Sequence, residues 1–208
     1  MEGKFVVFEG IDGSGKSTQF RLFCENLKKR GYGTTETHEP TKNPIGDLIS
    51  RRLRSKTDLP SDINGVIYVL LFYADRIEHN KMIKDELKKN KIVVSDRYYH
   101  STIAYQQTQG LDVGFITDFH KKLVRKGCVK VPDLTFFVDV PAEEAIRRID
   151  ERAKEKDKVH IFEHLEFLKK LRGNYLKLKE ILDENIVIID GTGTVEEVQE
   201  RIWKESGF

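Results

Sequence analysis

Along this chain the β-prone residues fall into short segments that show no alternation with polar ones. Five of them, Lys4–Glu9, Gly33–His38, Lys91–Asp96, Leu134–Asp139 and Ile186–Asp190, read as strands. A strand without polar alternation is covered on both faces, as in a parallel sheet. Between these segments the apolar spacing changes to that of helices. Phe20, Phe23, Cys24 and Leu27 form one face, and Gly31 stands just past its end. Pro141 followed by Glu143 and Glu144 opens another helix, whose apolar face is Ala142, Ala145, Ile146 and Ile149. Leu168, Leu171, Tyr175, Leu178 and Leu182 keep a long helical spacing, and Thr194 with Glu197 forms a capping box before a last helix. Strands alternating with helices predict an α/β fold with a parallel sheet between helical layers. No repeat or Pro/Gly-rich linker divides the chain, so one domain spanning 1–208 is expected. Asp150–Lys158 is a charge run without an apolar face, which predicts a lid over about 150–162.

Composition narrows the class. Lys and Arg number 36 against 34 Asp and Glu, and a net charge of +2 makes no case for a nucleic-acid partner. The charged fraction of 34%, supplied mostly by Lys and Glu, fits a heat-adapted protein. Two cysteines are too few for a disulfide framework. The longest apolar run, Val66–Ala74, falls well short of the ~20 residues that span a bilayer. The first residues carry no apolar signal core, so a cytoplasmic protein is expected.

Gly10-Ile-Asp-Gly-Ser-Gly15-Lys16-Ser17 matches the G-x-x-x-x-G-K-[ST] phosphate loop in full. The strand Phe5-Val-Val-Phe8 precedes it and an amphipathic helix follows, which is the context that makes the motif specific. Backbone N–H groups of Gly10, Ile11, Asp12, Gly13, Ser14, Gly15, Lys16, Ser17 and Thr18 are expected to cradle ATP phosphates beside a helix N-terminus. Lys16 would neutralise the transferred group, and Ser17 would ligate Mg²⁺. A GTPase would need Asn-Lys-x-Asp after a strand, and neither Asn80-Lys81-Met82-Ile83 nor Asn90-Lys91-Ile92-Val93 supplies it.

Beyond the P-loop, Glu39-Pro40, Leu71-Phe-Tyr-Ala-Asp-Arg76, Asp96-Arg97-Tyr98, Ser101-Thr-Ile-Ala-Tyr-Gln106 and Pro132-Asp-Leu134 resemble the thymidylate (dTMP) kinase family over nearly the whole chain. The resemblance implies strand order 2-3-1-4-5, transfer of the ATP γ-phosphoryl group to dTMP with Mg²⁺, and a homodimer. It also implies roles residue by residue. Phe72 stacks on thymine and Arg76, one helical turn on, donates to a base carbonyl. Asp96 holds Mg²⁺ and Arg97 takes the acceptor phosphate. Asp12 accepts from the sugar 3′-hydroxyl, Tyr105 excludes a 2′-hydroxyl, and Ser101 and Gln106 contact the base. Gly13 stands where one variant of the family has a P-loop arginine, so the missing charge is expected from the lid side, with Arg152 catalytic and Arg148 against ATP.

Three positions depart from the family pattern. His38 precedes Glu39-Pro40 where Arg or Phe is usual. Ser50 stands where an arginine often follows Leu-Ile, which leaves Lys42 to assist the acceptor phosphate, and Ile161 replaces a lid arginine. These changes keep open a kinase for another nucleotide or a deoxynucleoside, and a non-catalytic ATP-binding module. Gly191-Thr-Gly193 is read equally as an adenine contact and a plain turn, while Cys24 and the histidines are read as core or surface residues.

Overall fold

A computed structural model of the chain describes residues 2–55, 61–151 and 161–208. Five parallel strands form one sheet in the order β2-β3-β1-β4-β5: β1 (Lys4–Glu9), β2 (Thr34–His38), β3 (Ile92–Asp96), β4 (Leu134–Asp139) and β5 (Ile186–Asp190). Order and boundaries follow the expectation, with β2 and β3 each starting one residue later. The α-helices are α1 (Lys16–Lys29), α2 (Pro44–Arg54), α3 (Ser61–Lys88), α4 (Tyr99–Thr108), α5 (Val113–Arg125), α6 (Ala142–Asp150), α7 (Ile161–Leu182) and α8 (Val195–Ser206).

Side chains leave successive strand positions on opposite faces, and both faces are covered. Phe5, Val7, Val93 and Phe137 enter a core shared with α3, α4 and α7. Val6, Phe8, Val94 and Phe136 enter a second core with Phe23 and Leu27 of α1 and Ile202 of α8. This double coverage removes the polar alternation from the strands. Local signals close the helices: Gly31 has φ +85° beyond α1, and Thr194 and Glu197 form both bonds of the capping box on α8. The helix α5, capped by the Asp112 side chain on Phe115 N–H at 2.7 Å, has a signal the pattern reading passed over.

Register brings Phe8 and His38 level with Asp96, so the polar strand ends Glu9, His38 and Asp96 share the C-terminal edge of the sheet. Ligands of open parallel sheets bind at that edge. Asp150 ends α6 and Ile161 begins α7, while residues 152–160 of the expected lid, Arg152 among them, lie outside the described residues. Among the described residues no helix is long and apolar enough to cross a membrane.

Candidate active site

The phosphate loop joins β1 to α1. Gly13 adopts φ +82°, and a Cβ there would lie 2.3 Å from the Ala145 carbonyl oxygen. An arginine at that place, as in one variant of the family, has no room against α6 in this backbone. Gly15, at φ +88°, caps α1 without a side chain, leaving the helix N-terminus open to an anion. Residues 11–18 line a cavity of about 330 Å³ together with His38, Glu39, Asp96 and Arg97.

Lys16, only 6% exposed, pairs with Asp96, and Ser17 Oγ donates to the other Asp96 oxygen at 3.0 Å. Burial lowers the Lys16 pKa from the ordinary lysine value; nearby Arg97 adds to this and Asp96 opposes it. The adjoining Ser17 hydroxyl and Asp96 carboxylate are hard oxygen donors, the donor type Mg²⁺ takes alongside phosphate oxygens.

Arg97 follows β3 directly. Its backbone sits in the left-handed region at φ +71°, pinned by its N–H on the Phe8 carbonyl at 2.9 Å and by Ser95 Oγ on its own carbonyl at 2.8 Å. The guanidinium donates to Asp12 at 2.6 Å and to Ser101 Oγ at 3.1 Å, and lies over the Tyr105 ring at 5.5 Å. Tyr105 in turn donates to Asp12 at 3.2 Å. Burial pushes the Tyr105 hydroxyl up to about 12, so it remains a donor at neutral pH. Asp12 of the phosphate loop thus meets Arg97 and Tyr105, more than eighty residues further on, at one point.

A second cavity, of about 310 Å³, opens beyond them. Tyr68, Phe72 and Arg76 line it from successive turns of α3, with Tyr105 and Gln106 of α4 opposite. Arg76 is wholly buried, donates to Glu39 at 2.6 Å and to Thr102 Oγ1 at 3.1 Å, and packs beside the rings of Tyr73 and Tyr98. Its Nε and Nη1, and Gln106 Oε1, have no hydrogen-bond partner among the described residues. Both residues line the cavity, and buried polar groups left without partners beside aromatic walls suit a flat ligand that carries hydrogen-bonding groups.

A third cavity, of about 540 Å³, lies on the far side of the P-loop between Gly15, Arg148 and Gly191–Thr194. Arg148 joins its walls by donating to the Ser14 carbonyl at 3.2 Å and the Gly191 carbonyl at 3.1 Å. Asp139, the last residue of β4, holds Arg172 of α7 through two bonds of 2.6 and 2.8 Å.

The expected residues are not all assembled equally. Gly10 begins the loop, and Ile11 and Thr18 border the phosphate cavity. Ser101 lines the second cavity, and its hydroxyl is engaged by Glu9 and Arg97. Lys42 is exposed and lines none of the three cavities. Its neighbour Thr41 is tied to buried Asp75 at 2.8 and 2.5 Å. Sequence reading passed over Glu9, Tyr68, Thr102 and Tyr175. The i, i+4 series Tyr68-Phe72-Arg76 was a usable signal. Tyr175 came from another helix and had none.

A phosphate loop at the carboxyl edge of a 2-3-1-4-5 parallel sheet, adjoining a separate flat cavity, defines a P-loop nucleotide-binding protein with a second ligand site. Residues 8–202 match the thymidylate kinase family. Similar proteins include the probable thymidylate kinase of Thermococcus onnurineus, 43% identical over 95% of this chain and 94% of that protein. The probable thymidylate kinase of Methanocaldococcus jannaschii is 40% identical over 97% and 95% of the two chains. The crystal structure of thymidylate kinase from Ehrlichia chaffeensis superposes with a TM-score of 0.72 at 28% identity, covering 98% of each chain. The chain belongs to the thymidylate kinase family.

Proposed function

We propose that this chain is a dTMP kinase that transfers the γ-phosphoryl group of ATP to dTMP, giving dTDP, and that it works in the cytoplasm as a homodimer. One observation carries the reading: the phosphate cavity and the flat cavity share Asp12, Glu39 and Arg97 as walls. A donor triphosphate in one and an acceptor in the other would meet at those residues. Thymine presents two carbonyl acceptors and one N–H, which complement the unpartnered Arg76 donors and the Gln106 acceptor. Phe72 offers a ring at half-buried depth for stacking.

The chemistry asked of the protein is charge compensation and alignment, since phosphoryl transfer needs little covalent participation. Lys16 and Arg97 would offset the repulsion between two polyanions, and Arg148 would fix the adenosine side. Ser17 and Asp96 would hold Mg²⁺, which would supply positive charge against the triphosphate. Asp12 would orient the sugar and Tyr105 would exclude a ribose hydroxyl. The dimer reading rests on Ile63, Leu70 and Ile77, three exposed apolar side chains seven apart on one face of α3.

An ADP-release assay with dTMP, dUMP, UMP, AMP and thymidine tests the reading. Turnover strongest with dTMP is expected. Preference for thymidine would assign a deoxynucleoside kinase, and no turnover with any acceptor would leave an ATP-binding module.

A further inference from the structure

β1 is an apolar strand that ends in a carboxylate, Glu9, buried to 1% exposure. A carboxylate so placed is costly unless every lone pair is met. Its Oε1 accepts from Tyr98 N–H at 2.8 Å and Ser101 N–H at 3.2 Å, and its Oε2 from Ser101 Oγ at 2.6 Å and Tyr175 Oη at 3.0 Å. Tyr98 and Ser101 are the N-cap and third helical residue of α4, and that helix has no cap from its own side chains. Glu9 therefore caps α4 from the neighbouring strand, where a negative charge also complements the helix dipole.

The two hydroxyls have a second neighbour. Arg97 Nη1 donates to Ser101 Oγ at 3.1 Å and to Tyr175 Oη at 3.4 Å. A guanidinium can only donate and an ionised carboxylate can only accept. Hydroxyl protons between them must point away from Arg97: at least one goes to Glu9, and the other goes to Glu9 or across the 2.8 Å Ser101–Tyr175 contact. The carboxylate thus sets the polarity that lets both hydroxyls receive the arginine. The other arm of Arg97 rests on Asp12, whose side chain is 63% exposed. One arm is anchored in a buried network, while the other can exchange its partner for an incoming anion.

We propose that Glu9 is the positioning residue for Arg97, holding one arm of the guanidinium so that the other meets the acceptor phosphate. This rests on the reading of Arg97 as the acceptor-phosphate contact. Glu9→Gln keeps size but puts an amide donor against the Ser101 and Tyr175 hydroxyls, breaking the polarity.

A kinetic cycle with Glu9→Gln, Arg97→Ala and the double variant tests it, with dTMP and ATP varied and melting curves recorded. Glu9→Gln is expected to lower kcat at least ~10-fold, the loss of one charge-assisted bond, with KM for ATP within about twofold. The penalty should disappear in the Arg97→Ala background, because the residue being positioned is gone. An unchanged kcat, or an equal penalty in both backgrounds, overturns the proposal. If Glu9→Gln does not fold, Ser101→Ala takes its place in the same cycle, and additivity there overturns it equally. No dTMP turnover by the wild-type chain overturns the functional reading together with this one, whereas normal turnover with an additive cycle overturns only the role of Glu9.

Discussion

Arg76 and Glu39 form a fully buried ion pair, 2.6 Å apart, between the middle of α3 and the residue after β2. His79 completes it, with Nδ1 3.0 Å from the other Glu39 oxygen and Nε2 2.7 Å from Thr37 Oγ1. Removing one member of such a pair strands the other charge away from water. Glu39→Ala should destabilise the fold by about 3–5 kcal/mol in denaturant unfolding and raise KM for dTMP by displacing Arg76. Unfolding at the wild-type midpoint would show the pair to be dispensable.

Arg97 combines a functional side chain with a left-handed backbone at φ +71°. Arg97→Ala and Arg97→Gly should each lower kcat/KM for dTMP ~100-fold or more. Only glycine relaxes the backbone, so the glycine variant should be more stable than the alanine one by about 1 kcal/mol. Near-normal kinetics in both would remove Arg97 from the site.

Tyr105 presents its ring to Arg97 and its hydroxyl to Asp12. Tyr105→Ala should raise the ratio of kcat/KM for UMP over dUMP, since the bulk that excludes the ribose hydroxyl is gone. Tyr105→Phe keeps that bulk and should keep the wild-type ratio. Equal ratios in all three proteins would refute a steric gate.

Acid should weaken the fold through Glu184. Burial pushes the Glu184 pKa up, but bonds from Tyr99 at 2.5 Å and His100 at 3.2 Å, and His120 at 3.8 Å, outweigh it and hold the folded value at about 2. A folded pKa below the unfolded 4.5 gives stability that is present above pH 4.5 and lost as pH falls toward 2. His120 acts with the same sign, because burial lowers its folded value below 6.5 and the unfolded chain takes up the proton first. Unfolding free energy should fall between pH 6.5 and 3, with Glu184 supplying on the order of 1–3 kcal/mol. Glu184→Gln should flatten the part below 4.5; an identical slope in the variant would reject this source.

Leu70, 52% exposed at the centre of the α3 stripe, is the residue where an introduced charge should break a dimer. Light scattering on a sizing column should give twice the chain mass for the wild type and a monomer for Leu70→Glu. A monomeric wild type would remove the dimer.

Local chemistry was legible without the fold. The glycine spacing of the P-loop, the unalternated strands and the Thr194–Glu197 box depend on residues near one another in sequence, so the chain alone determined the five strands, the helices α1, α6, α7 and α8 and the phosphate cradle, while the strand order came with the family resemblance and α5 was passed over. The family motifs named Asp12, Arg97, Tyr105, Phe72 and Arg76. What only the tertiary structure decided is how buried polar groups share partners. Glu9 reads as the tail of a strand until α4 and Tyr175 of α7 close around it. Ser101 reads as a base contact, and only the fold shows its hydroxyl held between Glu9 and Arg97. Such assignments depend on which donors meet which acceptors across long sequence separations, and burial makes each match obligatory while no local pattern announces it.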